Sequence, residues 1–253
     1  MTPSDQDRFL RPPIFSPYPQ VIAAQSTRNG GFGRAPYASL NLGLYTKDDS
    51  KLVAKNRAAF FGDLGFSSDQ TAGALQVHET AVLTVQVPGQ YQGFDALITQ
   101  QKDILLTVTV ADCTPILIFD PETKAIAAIH AGWRGTVDEI AKKVLGQMTA
   151  EFGTQAQNCL AYIGPCIDRN TFEVDQDVAQ HFDIPFKDWN SNKKKFYVDL
   201  KKANKSQLES IGLLSDKIEI SPYSTVTHNQ YFFSHRKEKG KTGRMICAIG
   251  LKA

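Results

Sequence analysis

The sequence predicts a mixed α+β fold within a single domain. Short runs rich in Val, Ile and Leu recur along the 253 residues, and they alternate with stretches whose apolar residues repeat at helical spacing. Two of the apolar runs are separated by a short turn, as in a β-hairpin, which argues against a purely parallel sheet. Glycine and proline are spread along the chain without a linker or repeat, so residues 1–253 are expected to form one domain. Residues 1–20 are expected to be a poorly ordered or peripheral segment.

Composition limits the classes of partner. Lys and Arg number 28 against 26 for Asp and Glu, a net charge of +2, which argues against a broad nucleic-acid surface. The most apolar stretch, 104–119, contains Asp112 and Pro115 and is too short to cross a bilayer, so no membrane partner is expected. The four cysteines form no CxxC pair, and residues 1–20 do not resemble a secretory signal. We expect a cytoplasmic protein with reduced thiols, either a monomer or a homodimer.

The first half of the chain contains one clear helix and two strands. A glycine-rich segment at 29–36 lacks the Lys-Ser/Thr of a phosphate loop and is interpreted as a turn. The stretch 51–64 follows an acidic pair that suits a helix N-terminus, and it ends at Gly65. Residues 81–87 and 104–110 have the composition and length of strands.

The central segment predicts a hairpin that brings a thiol close to an imidazole. The runs 115–119 and 125–129 flank the turn 120–124. If residue 119 pairs with residue 124, Cys113 lies opposite His130, and a slip of one or two residues moves the partner by as much. Directly opposite residues have Cβ atoms about 5 Å apart. Such a pair is consistent with either a metal clip or a Cys–His nucleophile, and the residues alone leave both open.

The second half returns to helices and strands. Thr136 and Glu139 are spaced as a capping box, and the helix they would start ends at Gly153. A further helix is predicted from the Asp199 cap to Gly212. Strands are predicted over the ranges 217–220, 230–233 and 245–251.

Three segments resemble a known family. They are Gln76-Val77-His78, the ADCTP motif at 111–115 and the HAGWRG motif at 130–135. Supporting matches lie at 39–43, 48–49, 56–57, 163–167, 172–174, 232–236 and 242–244. Together they resemble the YfiH-like family, also called the multicopper polyphenol oxidase or laccase-domain family and known as purine nucleoside phosphorylases.

The resemblance implies a fold, a metal site and a reaction. The fold would be a layered α/β/β/α sandwich in a compact single domain. The metal ligands would be His78, Cys113 and His130, with zinc as the ion and copper as the alternative at the same site. Purine nucleosides and phosphate would be the substrates, with phosphorolysis of adenosine, inosine, guanosine and S-methyl-5'-thioadenosine and deamination of adenosine.

Other residues are candidates for catalysis and substrate binding. Asp112, next to the expected ligand Cys113, would either move protons and orient a ligand or simply cap a strand end. The weaker candidates for contacts with the nucleoside are Asn41, Arg57, Gln76 and Arg236. Arg134, together with the start of the Thr136 helix, is a candidate for binding the attacking phosphate.

The chain departs from the family pattern at two positions. Many relatives carry a Cys near the position of His228, and Tyr is common where this chain has His235.

Three alternative functions stay open. One alternative is a hydrolase that edits peptidoglycan precursors with Cys113 as nucleophile. Copper-dependent phenol oxidation is disfavoured, because the chain has only 5 histidines. The third is a metal-binding module without catalytic activity.

Overall fold

Helices and strands alternate along the computed structural model, which describes residue 4 and residues 7–253. The α-helices are α1 Ser50–Asp63, α2 Trp133–Val137, α3 Ile140–Phe152, α4 Gln176–Ala179 and α5 Leu200–Ser210. The strands are β1 Phe9–Leu10, β2 Val21–Ser26, β3 Thr71–Leu75, β4 Val82–Thr84, β5 Gly89–Gln92, β6 Ala96–Thr99, β7 Leu105–Val110, β8 Thr114–Asp120, β9 Ala125–Ala131, β10 Leu160–Ile163, β11 Glu173–Val174, β12 Lys187–Asn190, β13 Lys195–Val198, β14 Ile218–Ile220 and β15 Met245–Leu251. Short 3-10 helices cover Pro13–Phe15, Ser68–Gln70, Ala156–Asn158, Ile184–Phe186 and Ser215–Lys217.

The strands form two large sheets and one small sheet. The first sheet has the order β1-β2-β15-β7-β3-β5, in which β7, β3 and β5 are mutually parallel and the other pairs are antiparallel. The second sheet has the order β14-β10-β8-β9-β6-β4, with antiparallel pairs in its middle and parallel pairs at both edges. The third sheet, β11-β13-β12, is antiparallel.

The two large sheets face each other between layers of helices. Leu106 of the first sheet and Leu117 of the second pack in one buried cluster between the sheets. On the outer side of the first sheet, Phe60 and Phe61 of α1 are fully buried. On the outer side of the second sheet, α3 packs through Val144, and α5 joins the same cluster. Alternate strand residues point to opposite faces, so each sheet supplies both an inner and an outer apolar surface. The predicted single-domain α/β/β/α architecture is confirmed.

Three connections pass from the first sheet to the second at the same edge of the sandwich. Segments 76–81, 93–95 and 111–113 follow β3, β5 and β7 and lead into β4, β6 and β8. Because β3, β5 and β7 are parallel neighbours, their carboxyl ends lie together, and carboxyl ends of parallel strands are where α/β folds place ligand sites. The topology therefore brings these three segments together.

The predicted hairpin forms, with its register shifted by two residues. Asp120 pairs with Ala125 and Pro115 with His130, so the turn comprises residues 121–124. Within this turn, Lys124 adopts the left-handed φ of +58°, directly before the first residue of β9. Cys113 therefore lies just beyond the last ladder pair, Thr114 with Ala131, and it still ends close to His130.

The predicted helix from Thr136 to Gly153 is interrupted, and its capping box does not form. Gly132 caps α2, so Thr136 lies inside that helix, where its Oγ1 accepts a hydrogen bond from Asn204. Glu139 has φ +59° and separates α2 from α3. Because α2 starts after Gly132, Thr136 is not available as a helix cap. The predicted helix end at Gly153 is confirmed.

Most of the other predicted elements are present. Helix α1 has the Asp49 side chain as its cap, and α5 has Asp199, which accepts the backbone N–H of Lys202. The strands expected at 81–87, 104–110, 217–220 and 245–251 correspond to β4, β7, β14 and β15. The strand expected at 230–233 is wrong, because the N–H groups of Tyr231 and Phe232 both donate to the carbonyl of His228 and form a turn.

The expectation for the N-terminal segment is wrong for the part that packs on the sandwich. Residues 1–3, 5 and 6 lie outside the described residues. From Phe9 onward, β1 pairs with β2, and Phe15 is buried between the two large sheets. In the described part of the chain, none of the helices combines the length and apolar character needed to cross a membrane.

Candidate metal centre and adjoining cavity

Two histidines and a cysteine converge where the chain crosses between the large sheets. One ligand atom each from His78, Cys113 and His130 lies within 4.8 Å of the other two. The imidazole rings are nearly perpendicular, with centroids 4.8 Å apart. His78 is exposed, Cys113 is half-buried and His130 is buried. His78 adopts φ +63°, which histidine tolerates better than most residues. The three predicted ligands are thus brought together by three separate segments.

Asp95, a fully buried carboxylate, holds two of these segments. Its Oδ1 lies 2.8 Å from Nδ1 of His130 and accepts the backbone N–H of His78. Its Oδ2 accepts the backbone N–H groups of Val77 and Glu79. A carboxylate on Nδ1 leaves Nε2 of His130 as the nitrogen available to a metal, an arrangement that orients metal-binding histidines in many proteins.

The thiol and the imidazole shift each other's pKa. Burial opposes ionisation of Cys113, but His130 and then His78 outweigh it and lower the pKa of the thiol to about 6. Burial likewise disfavours the charged form of His130, and the Cys113 thiolate together with Asp95 raises the pKa of the imidazole to about 9. Both shifts favour a thiolate at neutral pH, which is the form that binds metals and acts as a nucleophile.

Asp112 acts as an anchor for a neighbouring loop. It adopts φ +86°, and its Oδ1 accepts a 2.5 Å hydrogen bond from the hydroxyl of Thr225. Its Oδ2 accepts the backbone N–H of Arg236 at 2.7 Å. Both carboxylate oxygens are thus engaged, which favours the structural interpretation of Asp112 over a role in proton transfer.

The centre forms part of the wall of a cavity of about 420 Å³. That size is within the range of sites for small organic ligands. Of the predicted residues, the lining includes all three candidate metal ligands together with Asp112, Gln76 and Arg236. Gln76 is held by Thr109, whose N–H donates to Oε1 at 2.7 Å and whose carbonyl accepts from Nε2 at 2.8 Å. Aromatic and aliphatic walls come from Trp133, Ile167, Phe172 and Leu200.

Three predicted substrate contacts lie outside the cavity lining. Asn41 is fully buried, and its Oδ1 accepts the backbone N–H groups of Gly43 and Arg244. Arg57 is buried on α1, where it donates to the carbonyl of Leu42 at 2.9 Å. Burial lowers the pKa of Arg57 to about 10. Arg134 is exposed, with its guanidinium 4.4 Å from the ring centroid of Trp133, and α2 is only five residues long.

Sequence reasoning missed Asp95 and Arg244. No local signal points to Asp95, which precedes β6 by one residue and comes opposite His130 only through the pairing of β6 with β9. Arg244 lies directly before β15 and lines the cavity. Arg244 belongs to the Thr-Gly-Arg match at 242–244, but no pattern in the sequence predicts that its side chain lies near Cys113.

Fold and centre together define a class of layered α/β proteins with a His–Cys–His cluster between two sheets. A family described as "Multi-copper polyphenol oxidoreductase laccase" matches residues 22–252, and the chain belongs to this family. The chain is 38% identical over 242 residues to the purine nucleoside phosphorylase of Deinococcus radiodurans, covering 95% of this chain and 93% of that protein.

Solved structures share the whole architecture. YlmD from Geobacillus stearothermophilus is 29% identical with a TM-score of 0.90, covering 98% of this chain and 100% of that one. A hypothetical protein YfiH from Bacillus licheniformis is 30% identical with a TM-score of 0.87, covering 92% and 93%. The resemblance to the YfiH-like family is confirmed.

Proposed function

We propose that this protein is a zinc-dependent purine nucleoside phosphorylase. The observation that carries the proposal is the convergence of His78, Cys113 and His130 on the wall of a cavity of about 420 Å³. The name of the relative from Deinococcus radiodurans supports the same reaction. In that reaction a phosphate oxygen bonds to the anomeric carbon of the ribose. The glycosidic bond breaks toward the purine nitrogen, and that nitrogen takes up a proton from dihydrogen phosphate.

The donor set fits zinc. Two imidazole nitrogens and one thiolate are the ligand types that zinc favours, and three protein ligands are typical of catalytic rather than structural sites. One donor atom from each of His78, Cys113 and His130 lies within 4.8 Å of the other two, so these residues would hold the ion together. When bound, zinc supplies a Lewis acid at this wall of the cavity. Copper is the alternative ion for the same soft ligands.

The chain's own residues provide binding and orientation. Asp95 holds the His130 ring, and Asp112 holds the backbone at Arg236. Phe172 and Trp133 offer apolar surface against which a purine can pack. Gln76 is fixed by Thr109, so the lining includes a polar group held in place as well as aromatic groups.

We also propose that adenosine is deaminated at the same centre. Deamination replaces the exocyclic amino group of adenine by oxygen from water and releases ammonia, so it consumes no phosphate. The two reactions are therefore separable by one reagent. The nucleosides proposed for phosphorolysis are adenosine, inosine, guanosine and S-methyl-5'-thioadenosine.

A single incubation tests the proposal. Zinc-loaded protein is incubated with adenosine, with and without inorganic phosphate, and adenine is resolved from inosine by chromatography. Adenine formed only with phosphate supports phosphorolysis, and inosine formed without phosphate supports deamination. The proposal is contradicted if fully zinc-loaded protein with phosphate releases no free purine base from any of the four nucleosides and forms no inosine from adenosine.

A second candidate is a hydrolase that uses Cys113 as its nucleophile, as in editing of peptidoglycan precursors. The observation in its favour is the lowered pKa of Cys113, about 6, beside His130. Metal-free protein that stays active and accumulates an acyl-enzyme on Cys113 would support this candidate over phosphorolysis. Multicopper oxidation is disfavoured, because the described residues contain one His/Cys/Asp/Glu cluster close enough to hold a metal ion.

A further inference from the structure

Arg244 presents a guanidinium to the cavity that contains the candidate metal ligands. Its Nη1 donates to the carbonyls of Thr242 and Gly243 at 3.1 and 3.0 Å. Within the described part of the chain, neither Nε nor Nη2 of this residue has a hydrogen-bond acceptor. Burial lowers the pKa of Arg244, and the charges of Cys113 and Asp112 oppose that shift. The side chain is therefore a partly desolvated cation with donors left for a ligand.

The other arginines near the cavity are less suited to hold an anion. Arg236 also lines the cavity, but it is exposed, and it donates to the carbonyl of Glu173 while lying over Phe172. Water screens an exposed charge, so its attraction for an anion is weaker than that of a partly buried one. Arg134 lies outside the lining and stacks on Trp133. Arg244 is thus the arginine that combines partial burial, unused donors and access to the cavity.

Two neighbours fix the position of Arg244. A Cβ atom built on Gly43 would lie 2.7 Å from Cγ and 2.8 Å from Cβ of Arg244, closer than real Cβ atoms approach. Asn41 ties both residues together, because its Oδ1 accepts the backbone N–H of each. Its Nδ2 in turn donates to Thr46 and Asp48, which fixes the amide itself.

We propose that Arg244 binds the phosphate that attacks the nucleoside, and that Gly43 and Asn41 are its positioning residues. The proposal rests on the proposed phosphorolysis and assigns the co-substrate to one side of the cavity. Arginine suits this role because its fork of N–H groups matches two phosphate oxygens. It replaces the sequence-based assignment of phosphate to Arg134.

Steady-state kinetics with inorganic phosphate tests Arg244 directly. Arg244→Met should raise the phosphate KM about 10-fold or more, through loss of charge-assisted hydrogen bonds, and leave the nucleoside KM and the deamination rate within about two-fold. Arg244→Lys keeps the charge, and its phosphate KM should lie between those of the wild type and Arg244→Met. Arg11→Met, an exposed arginine outside the cavity, is the control. An unchanged phosphate KM in Arg244→Met, or an increase in Arg134→Met instead, overturns the assignment.

A binding measurement separates this inference from the proposed function. If the wild-type protein releases no purine, phosphorolysis fails as the function. Phosphate binding by Arg244 is then tested by the melting temperatures of the wild type and Arg244→Met with and without inorganic phosphate. A phosphate-dependent rise that is present in the wild type and absent in Arg244→Met supports the assignment. Equal rises in both proteins, or none in either, overturn it.

Gly43→Ala tests the positioning role against Gly146→Ala, whose new Cβ on α3 would meet nothing within 4 Å. Gly43→Ala should raise the phosphate KM several-fold and leave the nucleoside KM unchanged, because the new methyl group displaces Arg244. Gly146→Ala should leave both values unchanged and raise the melting temperature. If Gly43→Ala does not fold, Asn41→Ser is measured for the same split. An unchanged phosphate KM in the folded variant overturns the positioning role.

Discussion

Nδ1 of His130 lies 2.8 Å from Oδ1 of Asp95, and both residues are buried. The same carboxylate accepts three consecutive backbone N–H groups, at residues 77 to 79, so one residue shapes the His78 segment and orients the His130 ring. The two imidazoles are therefore coupled through Asp95 before any metal is bound.

Substitution of Asp95 should lower the affinity for zinc, although Asp95 is not itself one of the proposed ligands. Asp95→Ala leaves three N–H groups without their acceptor and His130 without its orienting partner. We expect zinc affinity to fall about 10- to 100-fold, as for other residues that support metal-binding histidines. Asp103→Asn is the control, because Asp103 is a partly exposed residue whose ion pair with Lys252 spans 3.5 Å. Competition with a chelator gives the affinities, and wild-type affinity in Asp95→Ala would contradict the role.

Loss of a ligand at His78 should remove zinc without disrupting the fold. His78 is exposed, and asparagine tolerates its left-handed φ of +63°. His78→Asn should therefore bind zinc far less than stoichiometrically and lose the zinc-dependent rise in melting temperature. His181→Asn is the matched control, since His181 is exposed and lies outside the cluster. Metal content by mass spectrometry and melting curves measure both effects. Full zinc content in His78→Asn would exclude it as a ligand.

Local sequence signals predicted much of the fold. Apolar runs and caps located α1, α5, the hairpin and β15, because each of these depends on residues close together in the chain. The hairpin also placed Cys113 near His130, and a register error of two residues did not separate them. The convergence of His78 came from the family resemblance, since nothing local links residue 78 to residue 113.

Features that depend on distant pairing were not predictable in this way. Asp95 meets His130 only because β6 pairs with β9, a contact between strands far apart in sequence. The break between α2 and α3 lies at Glu139, whose left-handed φ of +59° ends one helix before the next begins. The candidate phosphate role of Arg134 relied on a helix that starts at Thr136, whereas Thr136 lies inside the five-residue α2, which begins after Gly132.

The N-terminal segment should contribute to stability, contrary to its expected peripheral position. Phe15 is buried between the two large sheets. Phe15→Ala should lower the free energy of unfolding by about 3–5 kcal/mol, the range for a buried aromatic residue. Val87→Ala is the control, since Val87 is 63% exposed and its truncation should cost less than about 0.5 kcal/mol. Urea titration gives both values, and equal stabilities of the two variants would mean that the segment does not pack as described.

The four cysteines should differ sharply in reactivity in metal-stripped protein. The neighbouring histidines lower the pKa of Cys113 to about 6, whereas burial raises the pKa of Cys159 to about 12, that of Cys166 to about 11 and that of Cys247 as well. Since the thiolate is the reactive form, iodoacetamide at pH 7 should modify Cys113 alone, as read by peptide mass spectrometry.

The pKa of Cys113 in the folded protein lies below the ordinary value of about 8.5, so the thiolate is already present at neutral pH. The rate should fall as the pH drops through about 6 and be nearly flat above 7.5. Zinc should protect Cys113, and urea should expose all four thiols. A rate that keeps rising through pH 8.5 would mean that His130 does not stabilise the thiolate.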